Sequence, residues 1–264
     1  MSSPRRTAGL GLLATAGAAV VALTALVLAL PSLAGRGRER PIILFAAAGQ
    51  RAAVEPIIEE FRRETGQSVD VVWGGTGTLY GLIVAGAPCD VFVAAEAAVV
   101  ERGVAEGRLN GARPLALQRA VVAVASDNPK QIKSVADLMR DDVRFALADP
   151  EQAAIGRVAQ RAFENLGVWP SLHERVVVAK PTVVDAAADL RLGAVDATVL
   201  WAHLIPTLDG VEAVELADIE LSAEPVVVAR TTGGNGDALY AFLTSDRADL
   251  HFVAAGMTVP TPPR

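Results

Sequence analysis

Residues 69–94 read VDVVWGGTGTLYGLIVAGAPCDVFVA, and the order of textures in that stretch decides the fold. The apolar run Val69–Trp73 predicts a strand. Gly74-Gly75-Thr76-Gly77 predicts a turn, Leu79–Ala85 a helix, and Asp90–Ala94 a second strand. Glycines let the backbone turn tightly and approach a ligand closely. Thr76 and Thr78 add hydroxyl donors, and the helix start adds unpaired amides at the positive end of its dipole. Nothing in the turn carries charge, so a small anion can be held there by dipoles alone. A Gly/Thr turn between strand and helix also serves purely structural ends, and both readings stand at this point. The segment is not a phosphate-binding P-loop, because no Gly-Lys-Ser/Thr follows. Nor is it a dinucleotide fingerprint, because Tyr80 stands where the third glycine belongs.

The same alternation runs outward in both directions. Pro41–Ala46 is a short apolar strand, and AAVEPIIEEFRRETG has helical spacing. Ile57, Ile58 and Phe61 fall on one face of that helix, and Gly66 stops it. Downstream, strands are expected at Ala120–Ala125, Arg144–Ala148, Val176–Ala179, Ala197–Trp201 and Val226–Arg230. Helices are expected at Ala97–Gly103, Ser134–Met139 with Ser134 as cap, Ala153–Leu166, Val183–Leu192, Ala238–Leu243 and Ala248–Ala255. Strands alternating with helices predict an α/β fold with mostly parallel sheets. Ligands of such folds sit beyond the carboxyl ends of strands. The junctions of that kind are Ala47–Gln50, Gly75–Gly77, Asp149–Gly156 and Lys180–Val183, with Trp201 at a further strand end.

The N-terminal part reads differently. Arg5 and Arg6 precede an uncharged stretch, Thr7–Leu30, long enough to span a bilayer core if helical. Two readings of residues 1–40 are open: a cleaved export signal ending at the small-residue site Ser32-Leu33-Ala34, or an uncleaved membrane anchor. Arg36, Arg38 and Arg40 on the far side keep the flanking charge from deciding between them. Under either reading the rest of the chain is exported. Cys89 is the single cysteine, so no disulfide is expected and no lipid attachment point follows the apolar run.

From Pro41 onward there is enough chain for one large domain or two modest ones. The net charge is −6, and Lys130, Lys133 and Lys180 are the only lysines, which excludes nucleic acid as the expected partner. His173, His203 and His251 lack metal-ligand spacing, and no Gly-x-Ser-x-Gly elbow or Cys/His nucleophile pair is present. Asp149 and Glu151 read as a helix-start turn. No cofactor is implied, and nothing argues for catalysis.

Four segments in order resemble the periplasmic molybdate-binding proteins of ABC importers. ILFAAAGQ is similar to the family's first strand and anion loop. GGTGTLYGLIVAGAPCDVFVAAE is similar to its second loop and the AGAPxDxFxxA segment that follows. ALADPEQAAIGRVAQRAFENLGVW is similar to its DPxxxPxG loop, helix and Leu-Gly-x-Trp ending, and KPTVVDAAADLRLGAVDATVLW holds the place of its fourth loop and strand.

The resemblance implies a two-lobed type II solute-binding fold, its discontinuous lobes joined by two crossing strands, behind an N-terminal hydrophobic helix. Lobe one would be residues 41–120 with 225–264 and lobe two 121–224, with Ala120–Ala125 and Val226–Arg230 as crossings. It implies a periplasmic, monomeric protein that is not an enzyme, either released or anchored to the membrane. Such a protein captures molybdate or tungstate and delivers it to an ABC permease and its ATPase. An anchored anion sensor, or the same fold with sulfate, are the alternatives. The oxyanion's metal would be held only through oxygen contacts, with no direct metal-ion ligands. By the resemblance these come from the Gly49 amide where a serine is usual, the Thr76 hydroxyl, the amides of Ile155 and Val183, and Trp201 where a tyrosine is usual. Gly49 also reads as a mere turn glycine, and Trp201 as a core aromatic.

Overall fold

A computed structural model describes residues 40–260, and the expected N-terminal hydrophobic helix lies outside them. Among the described residues no helix is long and apolar enough to cross a membrane. The chain opens with β1 (Ile42–Ala47), α1 (Arg51–Thr65), β2 (Val69–Gly74), α2 (Thr76–Val84), β3 (Val91–Ala94) and α3 (Ala97–Ala105). The long strand β4 (Leu109–Ala125) leads to α4 (Val135–Leu138), β5 (Phe145–Ala148), α5 (Ala154–Asn165) and α6 (Trp169–His173). Then come β6 (Val176–Lys180), α7 (Val183–Arg191), β7 (Ala197–Trp201) and β8 (Val211–Val214). The chain closes with β9 (Ala223–Thr231), α8 (Asp237–Leu243) and α9 (Asp246–Ala254).

The strands lie in the order β2-β1-β3-β9-β4-β7-β5-β6, with β8 also paired to β4. The fold is two-lobed because β4 belongs to two sheets. Its first part, to Arg119, pairs with β9, and Ala120–Ala125 pairs with β7 and β8. The sheets are mixed, not mostly parallel as expected. β1 runs parallel to β2 and β3, and β5 to β6 and β7, but every pairing of β4 and β9 is antiparallel.

The crossings are also displaced from expectation. Ala120–Ala125 and Val226–Arg230 each pair within one sheet, and the passage along β4 falls between Arg119 and Ala120. The first half of β4 was illegible because Gly111 and Pro114 interrupt it. The register shifts near both residues, and Gly111 takes φ +63.

Period-two alternation places residues on opposite faces of the first sheet. Leu44, Ala46, Val226 and Val228 face one core with Ile57, Ile58 and Phe61 of α1 and Leu239 and Phe252 of α8 and α9. Burying side chains of that size contributes roughly 2 kcal/mol each. Phe45, Phe92, Val227 and Ala229 face the other core with Leu79, Tyr80 and Ile83 of α2. The helix face read from Ile57, Ile58 and Phe61 is thus the buried one, and Gly66 ends α1 in the left-handed region at φ +70. The second lobe has its own core, centred on Phe145, Phe163, Leu190 and Leu200. Ser134 caps α4 in a reciprocal box with Asp137.

Two residues of the AGAPCD segment find structural roles. Cys89 is buried, and burial pushes its thiol up to about 12. Asp90 is buried at the start of β3. Its carboxylate accepts from Ile43 N and Asn235 N, both at 2.8 Å, tying β1 to the segment after β9. Asp90→Ala should leave these amides unpaired and cost at least about 2 kcal/mol of unfolding free energy in urea titration. A loss below about 0.5 kcal/mol would mean the tie is dispensable.

Candidate functional site

Each lobe sends strand ends toward the cleft. In the first, β1 runs into the 3-10 turn Ala48–Gln50, and β2 into the N-terminus of α2. In the second, β5 leads through Asp149–Ala153 into α5, β6 through Thr182 into α7, and β7 ends at Trp201. These ends surround one small cavity of about 20 Å³. Its wall includes Gly49, Thr76, Ile155, Val183 and Trp201, so all five sequence-predicted site residues come together there. Ala48, Gly75, Ala95, Ala153 and Thr182 also contribute, and no residue of the wall is charged.

The volume is little more than one water needs, which suits a compact guest. Helix N-termini from both lobes converge on it, and their aligned peptide dipoles favour a negative guest.

The hydroxyl of Thr76 is oriented from behind. It accepts from Ala95 N at 3.1 Å, which leaves its own proton free to donate. The Ala95 carbonyl accepts from Gln118 Nε2 at 2.9 Å, and Gln118 Oε1 accepts from Gln50 Nε2 at 2.8 Å. This buried chain ties both anion loops of the first lobe to β4. The Thr182 hydroxyl is fully engaged, accepting from Asp185 N and donating to Asp185 Oδ2 at 2.6 Å. Asp149 likewise turns into its own loop and accepts from Glu151 N and Gln152 Nε2. Neither acid lines the cavity. Trp201 is 1% exposed, and among the described residues its indole N–H meets no acceptor.

The glycines of the opening stretch do something other than turn the chain. Gly75 has φ −69, Gly77 is already helical, and α2 starts at Thr76 rather than Leu79. What demands glycine is the opposite lobe. A Cβ on Gly75 would lie 2.3 Å from Gln152 O, and one on Gly77 2.0 Å from Glu151 O. The gap is closed by hydrogen bonds, since Gly77 N and Thr78 N both donate to Gln152 O, at 2.8 and 3.3 Å. These two first-turn amides of α2 therefore serve closure, and neither residue belongs to the cavity wall.

Two further contacts cross the cleft, and neither was legible as functional. Glu96 is wholly buried, and its partners are Arg157 and Arg161 of α5. Arg157 Nε donates to Glu96 Oε1 at 2.6 Å, and Arg161 also pairs with Glu224. Burial raises the Glu224 carboxyl above the usual range, against the pull of Arg161. His203 Nε2 lies 3.0 Å from Gly49 O, a contact that requires the proton on Nε2 because the carbonyl can only accept. Burial lowers the pKa of this imidazole. The only sequence signal was position: Glu96 follows Ala95, Arg157 lies two residues past Ile155, and His203 two past Trp201.

The comparisons with known proteins agree with this geometry. Residues 42–258 match the family described as bacterial extracellular solute-binding protein. The chain belongs to that family. Its members are solute-binding proteins rather than enzymes. The molybdate-binding protein ModA of Rhodobacter capsulatus is 30% identical over 166 residues, 62% of this chain and 64% of that protein, so the match spans less than two thirds of the relative's length. Two solved structures share the fold. The periplasmic molybdate-binding protein of Azotobacter vinelandii has a TM-score of 0.66 at 22% identity, covering 83% of this chain and 100% of its own. The sulfate-binding protein SubI of Mycobacterium tuberculosis has 0.71 at 15% identity, covering 85% and 88%.

Two outcomes are expected of the closed geometry. Alanine is the better helix residue by about 1 kcal/mol, so Gly77→Ala should fold at least as well as the parent yet fail to close. Small-angle scattering of the two side by side should show the variant more extended. A variant as compact as the parent would mean that Glu151 yields.

For His203 the sign follows from its lowered pKa. Above the ordinary value of about 6.5 the ring is neutral in every state and no penalty arises. As pH falls below that value, the unfolded chain binds a proton that the buried ring resists. Stability is therefore lost from about 6.5 down to the lowered folded value. Thermal melts across this window should fall, and His203→Gln should flatten that part of the curve. An identical slope in the variant would clear His203.

Proposed function

We propose that the protein is an extracytoplasmic solute-binding protein that captures molybdate or tungstate between its two lobes and delivers it to an ABC permease. The observation that carries this reading is the uncharged cavity where N-termini from both lobes converge. An oxyanion placed there accepts from the amides of Gly49, Ile155 and Val183, the Thr76 hydroxyl and the Trp201 indole. Because these donors come from both lobes, the ion favours the closed state by binding it better than the open one. The lobes are taken as residues 41–120 with 225–264, and 121–224. The ModA relative supports the choice of ion. Sulfate is the second reading, favoured by the small volume of the cavity.

The donor set carries a selectivity. Molybdate, tungstate and sulfate are fully ionised near neutral pH and offer only acceptors. Phosphate retains a proton that needs an acceptor, and with Asp149 and Asp185 turned away no carboxylate of the cavity supplies one. Leaving that proton unpaired in a dry site costs about 1–3 kcal/mol.

Calorimetry with the four ions decides the matter. At least one metal oxyanion should bind, with phosphate weaker by about tenfold or more. Thr76→Ala should weaken the preferred ion by about 1.5–3 kcal/mol, the worth of a hydrogen bond to a charged group. No heat with any of the four would sink the oxyanion reading, and phosphate equal to molybdate would sink the donor-only site.

A further inference from the structure

A chain of buried amides stands behind the cavity, and its direction is fixed at one end. The carbonyl of Ala95 can only accept, so the Gln118 atom 2.9 Å from it is the donor Nε2. Gln118 therefore turns its Oε1 toward Gln50, which donates to it from Nε2 at 2.8 Å. On the other side of Ala95 the backbone N–H donates to the Thr76 hydroxyl at 3.1 Å. Gln50, Thr76 and Gln118 are at most 3% exposed, so the chain lies away from bulk solvent.

Two observations set this chain apart from ordinary packing. The first is an unpaired atom. With Nε2 engaged by Gln118, the Oε1 of Gln50 is buried and among the described residues has no hydrogen-bond partner. An unpaired buried acceptor destabilises a fold, and one that persists calls for an explanation. The second is position. Gln118 lies on β4 immediately before the Arg119–Ala120 passage from the first sheet to the second. From there it reaches both cavity loops of the first lobe. Gln50 ends the 3-10 turn that presents Gly49, and Ala95 lines the cavity beside Thr76. All these residues sit on the first sheet or its loops, so the chain forms without closure. In the second lobe the side chains of Asp149 and Thr182 bond within their own loops.

We propose that Gln118 and Gln50 are positioning residues for the anion. Gln118 holds the Gly49 turn through Gln50 and the Thr76 hydroxyl through Ala95, which makes the first lobe a preset half-site. Gln50 Oε1 goes unpaired because its amide is turned to serve this chain. Neither glutamine lines the cavity, so each acts only through another residue. The proposal rests on the oxyanion reading of the cavity. It adds which buried residues make the first lobe's donors ready before the second lobe arrives.

The test uses Gln50→Met and Gln118→Met, which keep side-chain length and remove the amide. Each is made alone in the full chain, then the two together, then Gln118→Met with Thr76→Ala. Calorimetry with molybdate, tungstate and sulfate reads binding, and the melting temperature without ion reads packing. Gln118→Met should weaken the preferred ion by about tenfold. In the Thr76→Ala background the same change should weaken it by no more than about threefold, because the hydroxyl it positions is gone. Gln50→Met should also weaken the ion, and the double glutamine variant should bind no worse than Gln118→Met alone, since the two share one bond. Gln50→Met exchanges one unpaired buried oxygen for another, Gln118 Oε1 in place of its own. Its melting temperature without ion should therefore stay within about 3 °C of the parent's while its affinity falls. A purely structural residue would show the reverse, a lower melting temperature at unchanged affinity. Losses that simply multiply with Thr76→Ala, or glutamine variants that bind as the parent does, would overturn the positioning role while leaving the oxyanion site standing. If Gln118→Met does not fold, Gln50→Met decides alone: affinity lost at an unchanged melting temperature supports the role, and unchanged affinity overturns it. A parent that binds none of the ions overturns the site itself, and the positioning role with it.

Discussion

Two stretches of backbone meet at the centre of this protein at the limit of atomic contact. The first turn of the Thr76–Val84 helix lies so near Glu151 and Gln152 that no side chain fits between them. Much else in the cleft depends on that approach. It brings the second lobe's helix starts to the first lobe's loops, it encloses the cavity, and it lets Gln152 O pair with amides that a helix start otherwise leaves open. The requirement for glycine at positions 75 and 77 comes from the opposing lobe, not from the local chain.

Charge is arranged around the cavity rather than in it. The wall is neutral, while Glu96 and Arg157 stand one and two residues from wall positions Ala95 and Ile155. A buried ion pair gains little over a well-packed apolar pair, because both ions give up water. Breaking such a pair with one partner left buried is costly. The Glu96 cluster therefore makes closure specific more than it makes it strong: the lobes fit in one register or leave a carboxylate stranded. An arginine inside the cavity would bind any anion tightly. Dipoles alone bind those whose shape brings every oxygen to a donor.

Much of this was legible from residue order, and what was missed has physical reasons. The cores of the first lobe follow from Ile57, Ile58, Phe61 and the alternating runs near Phe45 and Phe92, because burial periodicity is written locally. Thr76 and the helix starts could be placed because strand ends gather on one edge of a sheet. The first half of the long strand was lost because Gly111 and Pro114 break its pattern, and its pairing with Ala223–Thr231 is a long-range fact. Glu96, Arg157, Gln118 and His203 were lost for a similar reason. Each is an ordinary polar residue in sequence, and its role exists only once a partner from another segment arrives. The purpose of Gly77 was misread in kind, since a local rule was applied to a constraint set by a carbonyl far along the chain.

The burial of Cys89 has a practical corollary for anyone who wishes to watch this protein move. It is the chain's single thiol, and its pKa of about 12 leaves almost no thiolate at neutral pH. Maleimide and iodoacetamide reagents require thiolate and access, and this side chain offers neither. The chain is therefore chemically silent toward such dyes as it stands. A cysteine introduced on each lip of the cleft would be labelled without background. The separation between the two dyes would then follow opening and closing one molecule at a time.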